Sequence, residues 1–482
     1  MLKGFTRNFK PLEILTEEQI EAIHRGTLAV LENTGVRFKS DKVLKLFQKN
    51  GCMVDHDNMK VKFPPALVEE CLRKCPSGFY MRARDPKNDI VLGGNTLYFT
   101  SACGMKAIDI DTWEPRVATR KENYDGVTIL DALDNVHFLT VYCPYFGYEG
   151  IPPVMAVPES AAGKIRNSTK AQAEGYSQDS EIFVIKMAKA VGTEIMGACF
   201  ASPPLTYYGE AAESAFRYVE AGLPIYVSSG CIYGATGPAT ITGSTVTTNA
   251  EIIAGVVLTQ VIKPGTRVVV CDYTFPQNMK SGSPAFGQIG LSLHNVVFNQ
   301  IWNKYEVPIW SSSFCPTSSK RIDFQCGYEE AIGALIAALS GGNLIGLHGE
   351  IYGELAWHPV QAILDDDIAG MIGHFIQGVE VNDETLAIDL IEKVGPIPGH
   401  YLNQEHTRKW WKKEQFIPKV ADRLTYPEWM KTGKKSCLDY AKERMEEILA
   451  THKPTPLTDS QEEEIERILE KARKYYKERG LL

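Results

Sequence analysis

The chain has no stretch that approaches the ~18 consecutive apolar residues of a membrane-spanning helix. Its amino terminus, MLKGFTRNFKPLEIL, carries positive charge but no apolar segment behind it. The expectation is therefore a protein with neither a secretory leader nor a membrane anchor. Basic residues are in deficit: 51 Lys and Arg stand against 59 Asp and Glu, a net charge of -8. That balance speaks against nucleic-acid binding, which needs clustered positive charge to neutralise phosphates. Cysteine is present, but its eleven copies are an odd number scattered along the whole chain. Without an export signal this predicts free thiols in a reducing cytoplasm rather than a disulfide framework. Cys71 and Cys75 lie four apart with no second Cys or His pair nearby, so they read as packing residues rather than zinc ligands. A G-x-G-x-x-G turn after an early strand is also missing, which argues against a doubly wound nucleotide-binding sheet.

What is there divides the 482 residues into three parts. Residues 1–95 read as a small α+β cap. Thr16 and Gln19 make a capping box, Ile20, Ile23, Thr27, Val30 and Leu31 share a helical face, and Gly35 ends the run. A second helix over 41–50, a hairpin turning at Asp57-Asn58 and a third helix opened by Pro64-Pro65 follow. Between 96 and 394, short apolar runs alternate with longer helical patterns. Eight strands are expected, at 97–101, 136–142, 171–175, 194–199, 224–229, 267–271, 308–312 and 343–347. Eight βα repeats define an α/β fold of the closed (β/α)8 TIM-barrel type. Residues 395–482 read as a helical wrap ending in an amphipathic helix over 459–479, whose apolar face is expected to pack on the body.

Barrel enzymes place their chemistry at the carboxyl ends of the strands. The candidates this selects are Tyr98, Phe99, Ser101, Tyr142, Phe146, Glu174, Phe200, Tyr233, Asp272, Phe314, His348, Glu350, Tyr352 and Trp357. The set is rich in aromatics and almost devoid of basic residues before Lys320, which points to a cationic or apolar ligand. A phosphorylated substrate would want Arg, Lys or a glycine-rich turn instead. No strand ends in a lysine, which argues against Schiff-base chemistry. The spacing of His348, Glu350 and His358 is too loose for a metal site, so no metal is expected.

Three stretches carry a family likeness: Asp323-Phe324-Gln325-Cys326-Gly327-Tyr328-Glu329, the HGEIYGELAWHP segment from His348, and GHYLNQEHT around His400. With the opening LTEEQIEAIHRGTLAVLENTGV they resemble the trimethylamine methyltransferase family over nearly the whole chain. Members that act on trimethylamine carry pyrrolysine inside the barrel, whereas this chain has only standard residues; the non-pyrrolysine branch is the nearer match. The resemblance implies methyl transfer from a quaternary amine, glycine betaine above all, to the Co(I) of a corrinoid (cobalamin). The signature D-x-H-x-x-G is absent, so the corrinoid is expected on a cognate partner protein. His348 and Glu350 are the expected catalytic pair, with His348 anchoring the substrate carboxylate or lining the pocket; the other candidates are expected to contact substrate. Proline betaine, carnitine and γ-butyrobetaine remain as other amines, and a homo-oligomer stays open. Two rival readings also stand: a corrinoid-independent lyase using Glu174, Asp272 and His348, and a non-catalytic betaine-binding protein.

Overall fold

The computed structural model describes residues 4–311 and 315–482. Eight strands form the central ring: β1 Thr96–Ser101, β2 Phe138–Leu139, β3 Ala171–Ala173, β4 Ile195–Phe200, β5 Ile225–Ser229, β6 Val268–Asp272, β7 Ile309–Trp310 and β8 Leu344–His348. Each pairs in parallel with the next, and β8 closes on β1 through Leu344↔Tyr98 and Ile345↔Phe99. One long helix follows each strand: α1 Arg120–Ala132, α2 Ala156–Asn167, α3 Glu181–Val191, α4 Gly209–Glu220, α5 Ile241–Ile262, α6 Ile289–Lys304, α7 Phe324–Leu339 and α8 Pro359–Gln377. The chain is thus a (β/α)8 barrel. All eight expected strands are present, although β2, β3 and β7 are shorter than their apolar runs; Ser312, the last residue expected in β7, lies outside the described residues.

Alternation along the strands sorts their residues into two layers. Tyr98, Phe138, Met196, Ala198, Tyr226, Cys271, Trp310 and Leu344 fill the barrel interior, while Phe99, Ile345 and Leu347 face the helices. Helix α5 is long and apolar enough, by composition alone, to cross a membrane. Here it is a core helix: Ile252, Ile253, Val256, Val257 and Leu258 are all fully buried.

A hairpin of Gly78–Met81 and Ile90–Gly93 closes the amino-terminal end of the barrel. Phe79, Met81, Ile90 and Leu92 pack on the interior residues Tyr98, Phe138, Trp310 and Leu344. Polar ties fix it in place. Arg267 donates to Tyr80 O and pairs with Glu194 at 2.7 Å, and Glu194 accepts Arg82 N.

The amino-terminal elements match the sequence closely, including the reciprocal Thr16–Gln19 capping box at the start of the helix Glu17–Ala29. The cap is nonetheless knitted to the barrel. Its sheet is completed by Thr206–Tyr207 from the loop after β4, which pairs in parallel with Val36–Phe38. Phe38 stacks on Tyr207 with ring centroids 4.9 Å apart. At the other end of the chain, the helix Cys437–Thr451 lies against α8 and α1, and the helix Asp459–Glu478 lies along α3 and α2.

Candidate active site

A cavity of about 310 Å³ opens at the carboxyl-terminal end of the barrel. Tyr142 and Phe146 wall it from the loop after β2, Phe200 and Pro203 from the end of β4, and Tyr273 from beyond β6. Ser228, Ser229 and Gly230 form the β5 side, Cys103 and Met105 the β1 side, and Glu354 projects from the loop after β8. The aromatic rings are in mutual contact. Tyr142 and Phe146 meet edge to face at 4.4 Å, and Phe200 lies 5.4 Å from Tyr176. Below them Tyr226 touches Phe200 at 5.3 Å and Trp310 at 5.1 Å, so the stack runs down from the mouth into the interior. Two glycines make room for it. A Cβ on Gly175 would stand 2.0 Å from Tyr142 Oη, and one on Gly230 would stand 2.1 Å from Tyr273 O.

Among the described residues, no Lys, Arg or His lines this cavity, and Glu354 is its one carboxylate. Glu354 remains accessible from the mouth, but the protein crowded around it raises its pKa by desolvation. The Cys103 thiol is pushed well above its ordinary value, again by burial first, and stays protonated. Tyr142 is raised in the same way. The mouth therefore offers π faces, neutral donors and one carboxylate. Among the described residues it holds no base of the histidine type.

Of the fourteen residues selected from the sequence, the structure brings Tyr142, Phe146 and Phe200 to the cavity wall. Tyr352, two residues before Glu354, does not line the cavity; its ring packs against Phe286, and the Lys320 ammonium lies 4.2 Å from its centre. Phe314 lies outside the described residues.

The others point elsewhere, each for a physical reason. His348 does not reach the mouth. A bulge between Gly346 and His348 interrupts the alternation of β8. It turns the imidazole toward α8, with Nε2 3.7 Å from Asp366 Oδ1 and Nδ1 3.3 Å from Thr100 O. Glu350 is fully buried in the short strand Glu350–Ile351 beneath the loop, and neither of its oxygens makes a well-formed hydrogen bond. Desolvation first, then the neighbouring Glu354 and Asp365, drives its pKa well up, so it is a neutral acid under the site rather than in it.

Glu174 is a brace. Oε1 accepts Tyr142 N and Gly175 N, while Oε2 takes Ser160 Oγ and lies 2.9 Å from the buried Lys164 ammonium. Asp272 alternates outward from β6, where Oδ1 accepts Thr274 N and Oγ1 and Oδ2 lies 3.0 Å from His294 Nε2. Tyr233 packs behind the wall against the same His294, with ring centres 5.9 Å apart. Ser101 Oγ accepts Thr140 N between β1 and β2. Tyr98 lies low in the interior, its hydroxyl accepting from Val91 N of the closing hairpin. Phe99 faces α7 and α8, and Trp357 is a fully buried ring that donates to His348 O.

Sequence reasoning passed over Glu354, Met105, Pro203, Ser228 and Ser229, and it set Tyr273 beside Asp272 at the end of β6 without choosing between the two. The signal for Tyr273 was its parity: in β6, Cys271 points in and Asp272 points out, so the next residue returns inward. The signal for Glu354 was its being an acid one turn past the eighth strand, in an otherwise aromatic loop set.

An all-parallel barrel with an aromatic, single-carboxylate cavity at the carboxyl ends of its strands has the layout of a small-molecule barrel enzyme. The comparisons narrow this class. The trimethylamine methyltransferase (MTTB) family profile matches residues 1–145 and 166–476. A glycine betaine methyltransferase of Desulfitobacterium hafniense (strain Y51) is 31% identical over 458 residues, covering 92% of this chain and 94% of that one. The trimethylamine methyltransferase MttB of D. hafniense (strain DSM 10664 / DCB-2) is 31% identical over 456 residues, covering 92% and 90%. The crystal structure of the Methanosarcina barkeri monomethylamine methyltransferase (MtmB) shares the fold at TM-score 0.50 and 12% identity, covering 96% of this chain and 93% of that one. The chain belongs to the trimethylamine methyltransferase family.

Proposed function

We propose that this protein transfers a methyl group from a quaternary amine, glycine betaine in the first instance, to the Co(I) of a corrinoid carried by a cognate partner protein. The N–CH3 bond breaks with its electron pair left on nitrogen, so the leaving group is a neutral tertiary amine, dimethylglycine when betaine is the donor. The corrinoid, a substrate brought by the partner, supplies the nucleophile that accepts the methyl group. The observation that carries this reading is the cavity itself: aromatic faces and one carboxylate suit a quaternary ammonium, and the relatives include one named glycine betaine methyltransferase.

The residues present fit such a reaction. Among the described residues no imidazole lines the cavity, and the Cys103 thiol is held protonated, so neither competes as a cobalt ligand. No general acid is needed when the leaving amine departs uncharged. What the chain does is align the methyl with the mouth, an effect that can account for several kcal/mol of barrier. Positive charge on nitrogen falls as the bond breaks, so a closed aromatic cage would hold the reactant more tightly than the transition state. Tyr142, Phe146, Phe200 and Tyr273 line the wall without enclosing it, and the accessible Glu354 is partly solvated. The eleven free thiols are in keeping with a cytoplasmic protein.

The test mixes the purified protein anaerobically with Co(I) cobalamin and glycine betaine, carnitine or trimethylamine in separate cuvettes. Loss of the Co(I) absorbance with a quaternary amine, matched by the demethylated product and absent with trimethylamine, is the expected result. No conversion with any quaternary amine would return the lyase and the binding protein as the readings to pursue.

A further inference from the structure

Three polar groups at and below the cavity floor are buried and unused. Ser228 is 1% exposed, Tyr226 1% and Trp310 0%. Ser228 Oγ, Tyr226 Oη and Trp310 Nε1 have no hydrogen-bond partner among the described residues. Groups of this kind are ordinarily satisfied in a folded core, and a buried donor left over beside a cavity is one that a water or a bound ligand can satisfy. The three belong together. Tyr226 and Ser228 are one pleat apart on the inner face of β5, Ser228 lines the cavity, and the Tyr226 ring packs between Phe200 of the cavity wall and Trp310. Ser229, the neighbour of opposite parity, is spent: its hydroxyl donates to Glu251. Glu354 enters from the loop after β8, well around the ring from β5.

We infer that Ser228 Oγ, Tyr226 Oη and Trp310 Nε1 form a subsite of neutral donors that takes the carboxylate of a zwitterionic quaternary amine, while Glu354 faces the ammonium end. This rests on the methyl-transfer reading and names its substrate class: betaines with a short link between nitrogen and carboxylate. Neutral donors suit the task. A Lys or Arg here would repel the quaternary nitrogen only a few bonds away, whereas two hydroxyls and an indole N–H can satisfy a carboxylate without adding charge. The carboxylate anchored on the floor leaves the methyl groups directed to the open mouth.

The experiment is calorimetric binding to the full-length protein, without corrinoid, of three probes that share a quaternary nitrogen: glycine betaine, choline and tetramethylammonium. Wild type is expected to bind glycine betaine at least tenfold more tightly than the other two. Tyr226→Phe and Ser228→Ala each lower betaine affinity at least fivefold and leave choline within twofold, a selective loss that a general loosening of the barrel would not give. Glu354→Gln weakens all three probes together. A wild type that binds choline as tightly as betaine overturns the subsite, as do variants that keep the tenfold ratio or lose all three ligands equally. The two readings part cleanly when methyl transfer is run beside binding. Betaine-selective binding without demethylation would sink the transferase and keep the subsite. Demethylation of all three probes at equal kcat/KM would keep the transferase and sink the subsite.

Discussion

At the scale of single residues, the buried carboxyls govern how the barrel responds to pH. Glu251 on α5 accepts Leu205 N at 2.5 Å and the Ser229 hydroxyl, and its burial pushes its pKa up from 4.5 to about 7. A carboxyl raised on folding favours the protonated fold. Its contribution is complete below the unfolded value and is lost as the pH rises through the folded one. Glu251→Gln cannot ionise, so the difference between variant and wild type should grow in the variant's favour from about pH 5 to about pH 8, by on the order of 2–3 kcal/mol. Melting temperatures taken across that range check it; parallel profiles would mean that Glu251 stays neutral throughout. Lys164 and Glu174 pose the opposite problem, a buried ion pair whose members are both hydrogen-bonded to the backbone at the ends of β2 and β3. Lys164→Met leaves the Glu174 charge without its counterion and is expected to cost ~3–5 kcal/mol, read as a fall in melting temperature. A melting temperature close to wild type would show that the carboxylate is neutralised at little cost.

Secondary-structure elements were far more legible than the directions of their side chains. Eight apolar runs separated by helical patterns gave the barrel, because each strand of a parallel ring is buried on both faces and its sequence says so. That double burial also hides which residues point inward. Asp272 and Tyr273 are adjacent and equally plausible as strand-end residues, and only the pleat decides between them. His348 shows the same limit more sharply, since the bulge that turns it toward Asp366 leaves no mark in the residue pattern. Terminal helices carry plainer signals. In Asp459–Glu478 the face read from spacing is the one that packs: Ile465, Ile468, Leu469, Ala472 and Tyr476 are buried, and Arg473 reaches Glu159 on α2 at 2.6 Å. Leu469→Ala should cost ~2–5 kcal/mol through the void it leaves. The rate of methyl transfer at room temperature should be unaffected, because the helix lies outside the barrel wall. Calorimetry beside the cobalt assay checks both halves, and a lost rate with an unchanged melting temperature would tie this helix to the chemistry.

For the molecule as a whole, the sequence predicts a cap, a barrel and a helical wrap, and the closed eight-stranded barrel is what the structure shows. The sequence did not reveal that the amino-terminal cap borrows a strand from the barrel, because Thr206 and Tyr207 are too short a run to announce one. The most far-reaching feature is the hairpin Gly78–Met81/Ile90–Gly93, which seats Phe79, Met81, Ile90 and Leu92 against the interior. A vessel stopped at the bottom is entered from the top. On the proposed reading, donor and acceptor use that entrance from the same side: the amine must be inside before the corrinoid protein covers it, and the demethylated amine must wait until that lid lifts. Traffic of this kind runs as a queue with a compulsory order, and crowding with the acceptor protein would slow the enzyme by sealing it empty.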